Sequence, residues 1–517
     1  MRIFRSLMFV LCTACAATPQ TVLPDAAPAP ERAAQIALPP LADPEPIAAA
    51  EYAARRRALL SQIGDGVLVV FGAPPPAADY LPFAQLPDFR YLTGIMEPAA
   101  AYVAVKHGAR VQEQLFVLDR DPAREVWEGA RLGPERARAL TGIPAQSARR
   151  FGAVLDSLVR TTAALYSTIA PPLDASLTAD VSYPQQVLAR VRAANPALEV
   201  KTVQSVIRTL RGEKSAAELD RIRRAVHISA LAHREAMRST EPGMNEFEIR
   251  ALVEYMFRRN GAEGPAYGSI VGSGPNSTTL HYQASDRFMH DGEVLLIDAA
   301  ASYGGYAADV TRTFPVNGRF SAEQRAIYEV VLAAQRAAAA KIRRGATWRD
   351  LNDAANTEIA NGLARLGLID AADATYEPAP GRSAPQSRLF YMHGLGHGVG
   401  LAVHDPDISN GESGFQPGSA VTIEPGIYVR GDVFDHLPDT PANRAMIQRL
   451  RPAAEKYRDI GVRIEDVFIF DERGVERVSA GAPQEIDEIE ALMREAGIGD
   501  STRRGDIVEW FRGNRGR

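Results

Sequence analysis

Short apolar runs alternate with helix-like stretches along most of this chain. Glu51 to Gln62 reads as a helix, and Gly66 to Phe71 (GVLVVF) is a continuous apolar run stopped by Gly72 and Pro74 to Pro76. A run that short, bounded by breakers, predicts a buried strand. Tyr102 to Val105 and Leu115 to Leu118 predict further strands, and Gly152 to Thr161 a helix. Strands interleaved with helices predict an α/β layer from about residue 50 to 205. No catalytic constellation falls within it.

Leu210 to Ser215 (LRGEKS) reads as a domain junction, followed by a long helix over Ala216 to Ser239. From there to about residue 480, helices alternate with short strands, and several strands end on a carboxylate. The apolar run Val294 to Ile297 leads into Asp298, and a lone buried Asp is costly. Six residues on, Gly304-Gly305 forms a two-residue hairpin turn. With that turn, residue 300 lies opposite 309 and residue 298 opposite 311. Asp298 and Asp309 then share one face as diagonal neighbours, roughly 7–8 Å apart at the backbone. By themselves they would be read as a turn-capping Asp and an Asp paired with an arginine.

Val421 to Gly426 (VTIEPG) places Glu424 at the end of a strand that runs into a Pro-Gly turn. Gly461 to Phe470 is a strongly apolar strand on which Arg463 and Glu465 share a face by the two-residue period. A structural salt bridge is the ordinary explanation for each Glu. Four buried carboxylates would need four separate partners, whereas one metal site satisfies them together.

Histidines sharpen this picture. Of nine in the chain, six fall in the part that carries the carboxylates, His281, His393, His397 and His404 among them. The stretch Tyr391 to Gly400 (YMHGLGHGVG) sets two histidines among four glycines, which is poor helix material. Glycine lets backbone approach a neighbour closely. Asp298, Asp309, His397, Glu424 and Glu465 together make an oxygen-rich donor set suited to Mn²⁺, or to Zn²⁺ or Co²⁺. Carboxylates can bridge two ions about 3.5–4 Å apart, and such a pair holds and activates one water. The ions also neutralise the repulsion among the carboxylates.

Composition adds limits. A chain of 517 residues is expected to form two or three domains, and 46% hydrophobic with 23% charged residues makes most of it globular. A formal charge of -5 argues against nucleic acid as the main partner. The arginine runs Arg55 to Arg57 and Arg503-Arg504 are expected on solvated helix faces or in the tail. Both cysteines, Cys12 and Cys15, lie at the start, where Arg2 and Arg5 precede a short apolar stretch and then small residues. This is a secretory signal pattern, too short for a permanent membrane span. Ala14-Cys15-Ala16 fits a signal peptidase site, while Cys12 to Cys15 resembles a lipobox with Cys15 as the lipid anchor. The chain is therefore expected to be exported, periplasmic or membrane-anchored as a lipoprotein. No disulfide framework is available to the body. Residues 18–48 are rich in proline and alanine and read as a tether. No other apolar run is long enough for a transmembrane helix.

The ordered motifs resemble those of the pita-bread metallopeptidases, the superfamily of methionine aminopeptidase, prolidase and aminopeptidase P. They are Gly261 to Tyr267 (GAEGPAY), Gly274 to Asn276 with Leu280 to Tyr282, Leu296 to Ala299, Asp309 to Phe314, His393 to His397, Val403 to Asp405, Glu424 to Tyr428 and Gly461 to Asp466. Phe83 to Pro98 and Asp119 to Pro134 are similar to the accessory domain of the aminopeptidase P branch. The resemblance spans roughly residues 50 to 480. It implies an α/β (α+β) chain with an N-terminal α/β accessory domain and a C-terminal pita-bread catalytic domain. The expected divisions are a signal segment 1–17, a linker 18–48, the accessory domain 49–205, the catalytic domain 206–498 and a polar tail 499–517.

It also implies roles. Asp298 would bind one metal, His397 and Glu424 the other, and Asp309 and Glu465 would bridge. Glu424 would take the proton from the bridging water. His281, His393 and His404 would hold the substrate carbonyl, the oxyanion and the proline region, with Arg463 behind them as a steadying and substrate-side group. The activity implied is release of the residue before a penultimate proline, from proline-containing peptides, by a homo-oligomer (dimer or tetramer). Prolidase, a catalytically inactive peptide-binding relative and a metal-free amidinohydrolase are the alternatives. The chain departs from common family members at Gly398 and Ala402, and 371–386 and 432–458 read as insertions or long loops.

Overall fold

A computed structural model describes residues 43–78, 82–170, 181–408 and 414–498. The expected signal segment with Cys12 and Cys15, most of the tether and the tail 499–517 lie outside the described residues.

The first half of the fold is built on one mixed sheet. Its strands run in the order Ala145–Ser147, Arg110–Val117, Ala101–His107, Gly66–Phe71, Ala164–Ser167 and Glu199–Thr202. The two pairings among residues 66–117 are antiparallel, and the three outer ones are parallel. Gly66–Phe71 is buried throughout. Its alternate side chains feed two cores: Leu68 and Val70 on one face, Val67, Val69 and Phe71 on the other. A strand covered on both faces reads as a continuous apolar run, which is why the sequence showed no alternation there.

The helix Ala49–Ser61 covers one of these faces, and it corrects the expectation for its arginines. Arg55 and Arg56 are buried. Arg55 reaches Glu218 at 3.1 Å and also pairs with Glu51, while Arg56 pairs with Glu113 at 2.7 Å and donates to the Leu92 carbonyl. A guanidinium with several acceptors in reach tolerates burial that an unpaired one could not.

Leu210 to Ser215 is no loose linker. The helix Gln204–Gly212 ends there, and Ser215 opens Ala216–Ser239 with a capping box to Glu218. Arg211 and Lys214 are both buried.

In the second half, Ala216–Ser239, Glu246–Arg259, Ala322–Ala339 and Trp348–Arg365 pack around small antiparallel sheets over one large core. One sheet pairs Thr311–Pro315, Val294–Asp298 and Ile270–Ser273; a second pairs Ala420–Ile423, Asp466–Asp471 and Gly474–Arg477; a third pairs Gly426–Val429 with Ile460–Arg463. The hairpin has the expected register. Asp298 faces Thr311, Tyr303 faces Tyr306, and Gly304 and Gly305 turn with φ of 58° and 78°. Only glycine adopts two consecutive positive φ values at little cost.

Two expectations need correction. The apolar run 461–470 is two strands rather than one, broken at Ile464 and Glu465. There the chain changes partners: the Ile464 amide donates to the Pro425 carbonyl and the Glu465 amide to the Thr311 carbonyl. Nor is 432–458 mainly loop, since Pro441–Lys456 is a helix capped by Thr440. Among the described residues, no helix is long and apolar enough to cross a membrane.

Candidate metal centre

The break at Glu465 is what completes the site. Asp298 ends its strand, Asp309 precedes Thr311–Pro315, and Glu424 follows Ala420–Ile423. His397 belongs to an irregular segment that runs beside that last strand: its amide bonds the Thr422 hydroxyl, and the Glu424 amide bonds the Leu395 carbonyl. Such close backbone contact needs glycine. A Cβ on Gly396 would lie 2.2 Å from the Thr422 carbonyl oxygen, and one on Gly398 would lie 2.4 Å from that of Asp405.

All five proposed donors line one cavity of about 290 Å³, together with His281, His393, His404 and Arg463. His397 Nε2 stands 3.4 Å from Asp309 Oδ2 and 3.4 Å from Glu424 Oε1. Donor atoms of Asp309, His397 and Glu465 all lie within 4.8 Å of one another. The Nδ1–H of His397 donates to the Gly398 carbonyl at 3.0 Å, which turns Nε2 to the carboxylates and makes it the atom that would ligate a cation once its proton is lost.

Asp298 has two partners. Arg463 pairs with its Oδ2, and the Tyr267 hydroxyl stands 2.5 Å from its Oδ1 and 2.5 Å from Asp309 Oδ1. The ordinary explanation for Asp298, an arginine partner, is therefore part of the arrangement and coexists with the shared site. Arg463 also donates to the Thr311 and Tyr428 hydroxyls, and Thr311 donates to Glu465 Oε2 at 2.7 Å. Three of its nitrogens are thus engaged within the protein, so it braces the donors from behind.

The electrostatics show a shortage of positive charge. Burial, opposed by the His397 and Arg463 cations, pushes the Glu424 carboxyl up to about 7. Burial and then the neighbouring Asp309 and Glu424 hold the Glu465 carboxyl far above its usual range, and burial also raises Asp298 against the pull of Arg463. His397 loses some basicity to burial but gains more from Asp309 and Glu424, and sits near 9. The single Tyr267 proton cannot serve two carboxylates at once. Divalent cations would supply the missing charge, and the donor set fits them.

The other histidines differ in setting. His393 is fixed: Nδ1 donates to the Gly394 carbonyl and Nε2 accepts from the Tyr428 hydroxyl, both at 2.8 Å. Burial and Arg463 lower its basicity to about 4, so it stays neutral. His281 and His404 are exposed at the cavity, and the His404 ring packs edge-on against His397 with centroids 4.3 Å apart.

Comparison with known proteins gives the family. The profile of metallopeptidase family M24 matches residues 220–472, and that of the aminopeptidase P N-terminal domain matches 52–166. The Xaa-Pro aminopeptidase of Haemophilus influenzae is 37% identical over 417 residues, covering 80% of this chain and 89% of that one. That of Escherichia coli is 34% identical over 458 residues, covering 86% and 97%. The chain belongs to metallopeptidase family M24, in its aminopeptidase P branch. Among solved structures, the low-pH form of E. coli aminopeptidase P matches with a TM-score of 0.73 at 32% identity, over 87% of this chain and 99% of that one. Pseudomonas aeruginosa aminopeptidase PepP matches at 0.71 and 35%, over 87% and 98%. The M24 chain thus has the two-domain α/β architecture that its motifs implied.

Three residues of this M24 site escaped sequence reasoning as functional groups: Tyr267, Thr311 and Tyr428. Each lies inside a motif that was recognised, yet a hydroxyl carries no mark of the carboxylate it will meet. The departure at Gly398 has a local cause, because this residue pairs with both Asp405 and Val421 and has no room for a side chain.

Proposed function

We propose that this M24 peptidase releases the N-terminal residue from peptides with proline in second position. The observation that carries this is the convergence of five donors and three further histidines on one cavity, in a chain that matches the aminopeptidase P N-terminal domain followed by metallopeptidase family M24.

Asp298, Asp309, His397, Glu424 and Glu465 would hold two divalent cations, with manganese the best match to so many oxygen donors and zinc or cobalt close behind. Bound there, the ions polarise a carbonyl and acidify a water near neutral pH. Glu424 accepts the proton of the attacking water as general base. His281, His393 and His404 hold the substrate carbonyl, the oxyanion and the proline region, with His393 donating to the oxyanion only once its Nδ1–H leaves the Gly394 carbonyl. Arg463 keeps Asp298 and Glu465 in place through its direct bond and through Thr311.

We also propose export, from the residue pattern of the first seventeen positions, and assembly as a homo-oligomer. Mass spectrometry of the mature N-terminus distinguishes cleavage near Cys15 from lipidation of Cys15.

The deciding experiment reloads the metal-stripped chain separately with manganese, zinc and cobalt. Each form is assayed on Xaa-Pro, Xaa-Pro-Yaa and Xaa-Ala-Yaa peptides. Release of Xaa from Xaa-Pro-Yaa, with Xaa-Ala-Yaa spared, is expected. Cleavage of dipeptides alone would make the chain a prolidase, and no cleavage with any metal would remove the assignment.

A further inference from the structure

A buried ion network joins the accessory layer to the segment that carries His397, and the catalytic roles above make no use of it. At its centre is Asp405, the residue after His404. Its carboxylate receives the Arg211 guanidinium, the Lys214 ammonium at 3.3 Å and the Ala402 amide at 3.1 Å. Arg211 reaches on to Asp88 Oδ1 at 2.7 Å, in the helix Pro87–Thr93 of the accessory layer. Lys214 also donates to the Pro406 carbonyl at 2.5 Å. Asp405, Arg211 and Lys214 are 6%, 7% and 4% exposed.

Energetics make this arrangement informative. A buried ion cluster of this kind generally stabilises a fold no better than apolar residues of the same volume. Two cations and two anions at a domain junction therefore point to a task other than stability.

The backbone shows which task. The Asp405 amide donates to the Gly398 carbonyl at 2.8 Å. That same carbonyl accepts Nδ1–H of His397 at 3.0 Å, the bond that selects the tautomer with Nε2 free. The carboxylate also fills the space beside Gly400, where a Cβ would lie 2.5 Å from Oδ2. Displacing Asp405 would therefore turn the Gly398 carbonyl and with it the imidazole.

We propose that Asp405 is a positioning residue for His397. Arg211, Lys214 and Asp88 clamp its carboxylate from the domain junction, and its amide fixes the carbonyl that orients the imidazole. The accessory domain thereby sets the geometry of a metal ligand it does not touch. The inference rests on His397 being a metal ligand.

The test is a cobalt(II) titration of the metal-stripped full chain, read by visible absorption and by competition with a chelator. Melting temperature of the metal-free protein and kcat and KM for an Xaa-Pro-Yaa peptide at saturating manganese are recorded alongside. Asp405→Asn leaves two buried cations short of a partner and can fail to fold. The charge-balanced double variant Asp405→Asn/Lys214→Met therefore accompanies it, with Asp88 still paired to Arg211. Loss of an outer-shell partner typically lowers metal affinity about 10- to 100-fold, and that is the fall expected, with kcat falling more than KM rises and the melting temperature held. Parent-like cobalt affinity in a folded variant, or a lower melting temperature with affinity intact, would overturn the proposal. Failure of the parent chain to bind cobalt would instead sink the metal-centre assignment beneath it.

Discussion

Asp298 lies directly opposite Thr311 across the hairpin, and this register puts Asp309, two residues before Thr311, on the same side as Asp298. The pairing follows from the Gly304-Gly305 turn alone. It leads to a site in which the Thr311 hydroxyl, itself opposite one carboxylate, holds a third, Glu465.

Glu424→Gln keeps shape and removes the base. Positioned proton acceptors typically contribute 10²- to 10⁴-fold, so kcat on an Xaa-Pro-Yaa peptide should fall by about that factor. Steady-state kinetics with metal content measured in parallel checks it, and parent-like turnover would take Glu424 out of this role.

Tyr267→Phe removes the hydroxyl that stands between Asp298 and Asp309. No group then bridges the two carboxyls, and Asp298 keeps only Arg463. Affinity for manganese should fall about 10- to 100-fold, as for other lost partners of metal ligands. Chelator competition measures it, and an unchanged affinity would show that Arg463 alone suffices.

Gly396→Ala places a methyl 2.2 Å from the Thr422 carbonyl oxygen, a backbone atom that cannot swing aside. The segment carrying His397 must move away from Ala420–Ile423. A stability loss of about 1–3 kcal/mol is expected, with weakened metal binding. Thermal unfolding with and without metal reads both effects.

His233 gives the metal-free protein a pH dependence of its own. It is fully buried, with Nε2 donating to the Ala299 carbonyl, and burial followed by the Arg312 charge lowers its pKa from 6.5 to about 4. A depressed pKa contributes stability that is present above 6.5 and is lost as pH falls through about 4. At about 1.4 kcal/mol per pKa unit, the loss is about 3–4 kcal/mol across that window, of which about 3 kcal/mol has been lost by pH 4.5. Urea unfolding at pH 7 and pH 4.5 should show a drop smaller by roughly that amount in His233→Gln. Equal drops in the two proteins would assign acid sensitivity to other groups.

Several expectations failed where long-range contacts decided the outcome. Arg55 looks like a solvated helix charge until Glu218, 163 positions away, supplies its acceptor. The run from Gly461 to Phe470 has no breaker, so hydrophobicity alone reads one strand. It divides because Ile460–Arg463 pairs with Gly426–Val429 while Asp466–Asp471 pairs with Ala420–Ile423. A change of pairing partner leaves no mark in local sequence.

The sequence by itself determined most of the local elements, the hairpin register of Asp298 and Asp309, and the chemistry of the donor set. These depend on turn residues, apolar periodicity and side-chain type, all of which act over a few positions. Only the tertiary structure decided that Glu465, His397 and Glu424 meet those two aspartates, and that Tyr267, Thr311 and Arg463 brace them. It alone brought Asp405 into the hands of Arg211 and Lys214. Burial of like charges in one cavity requires compensation from whatever the fold places there, and that placement is a property of packing between distant segments.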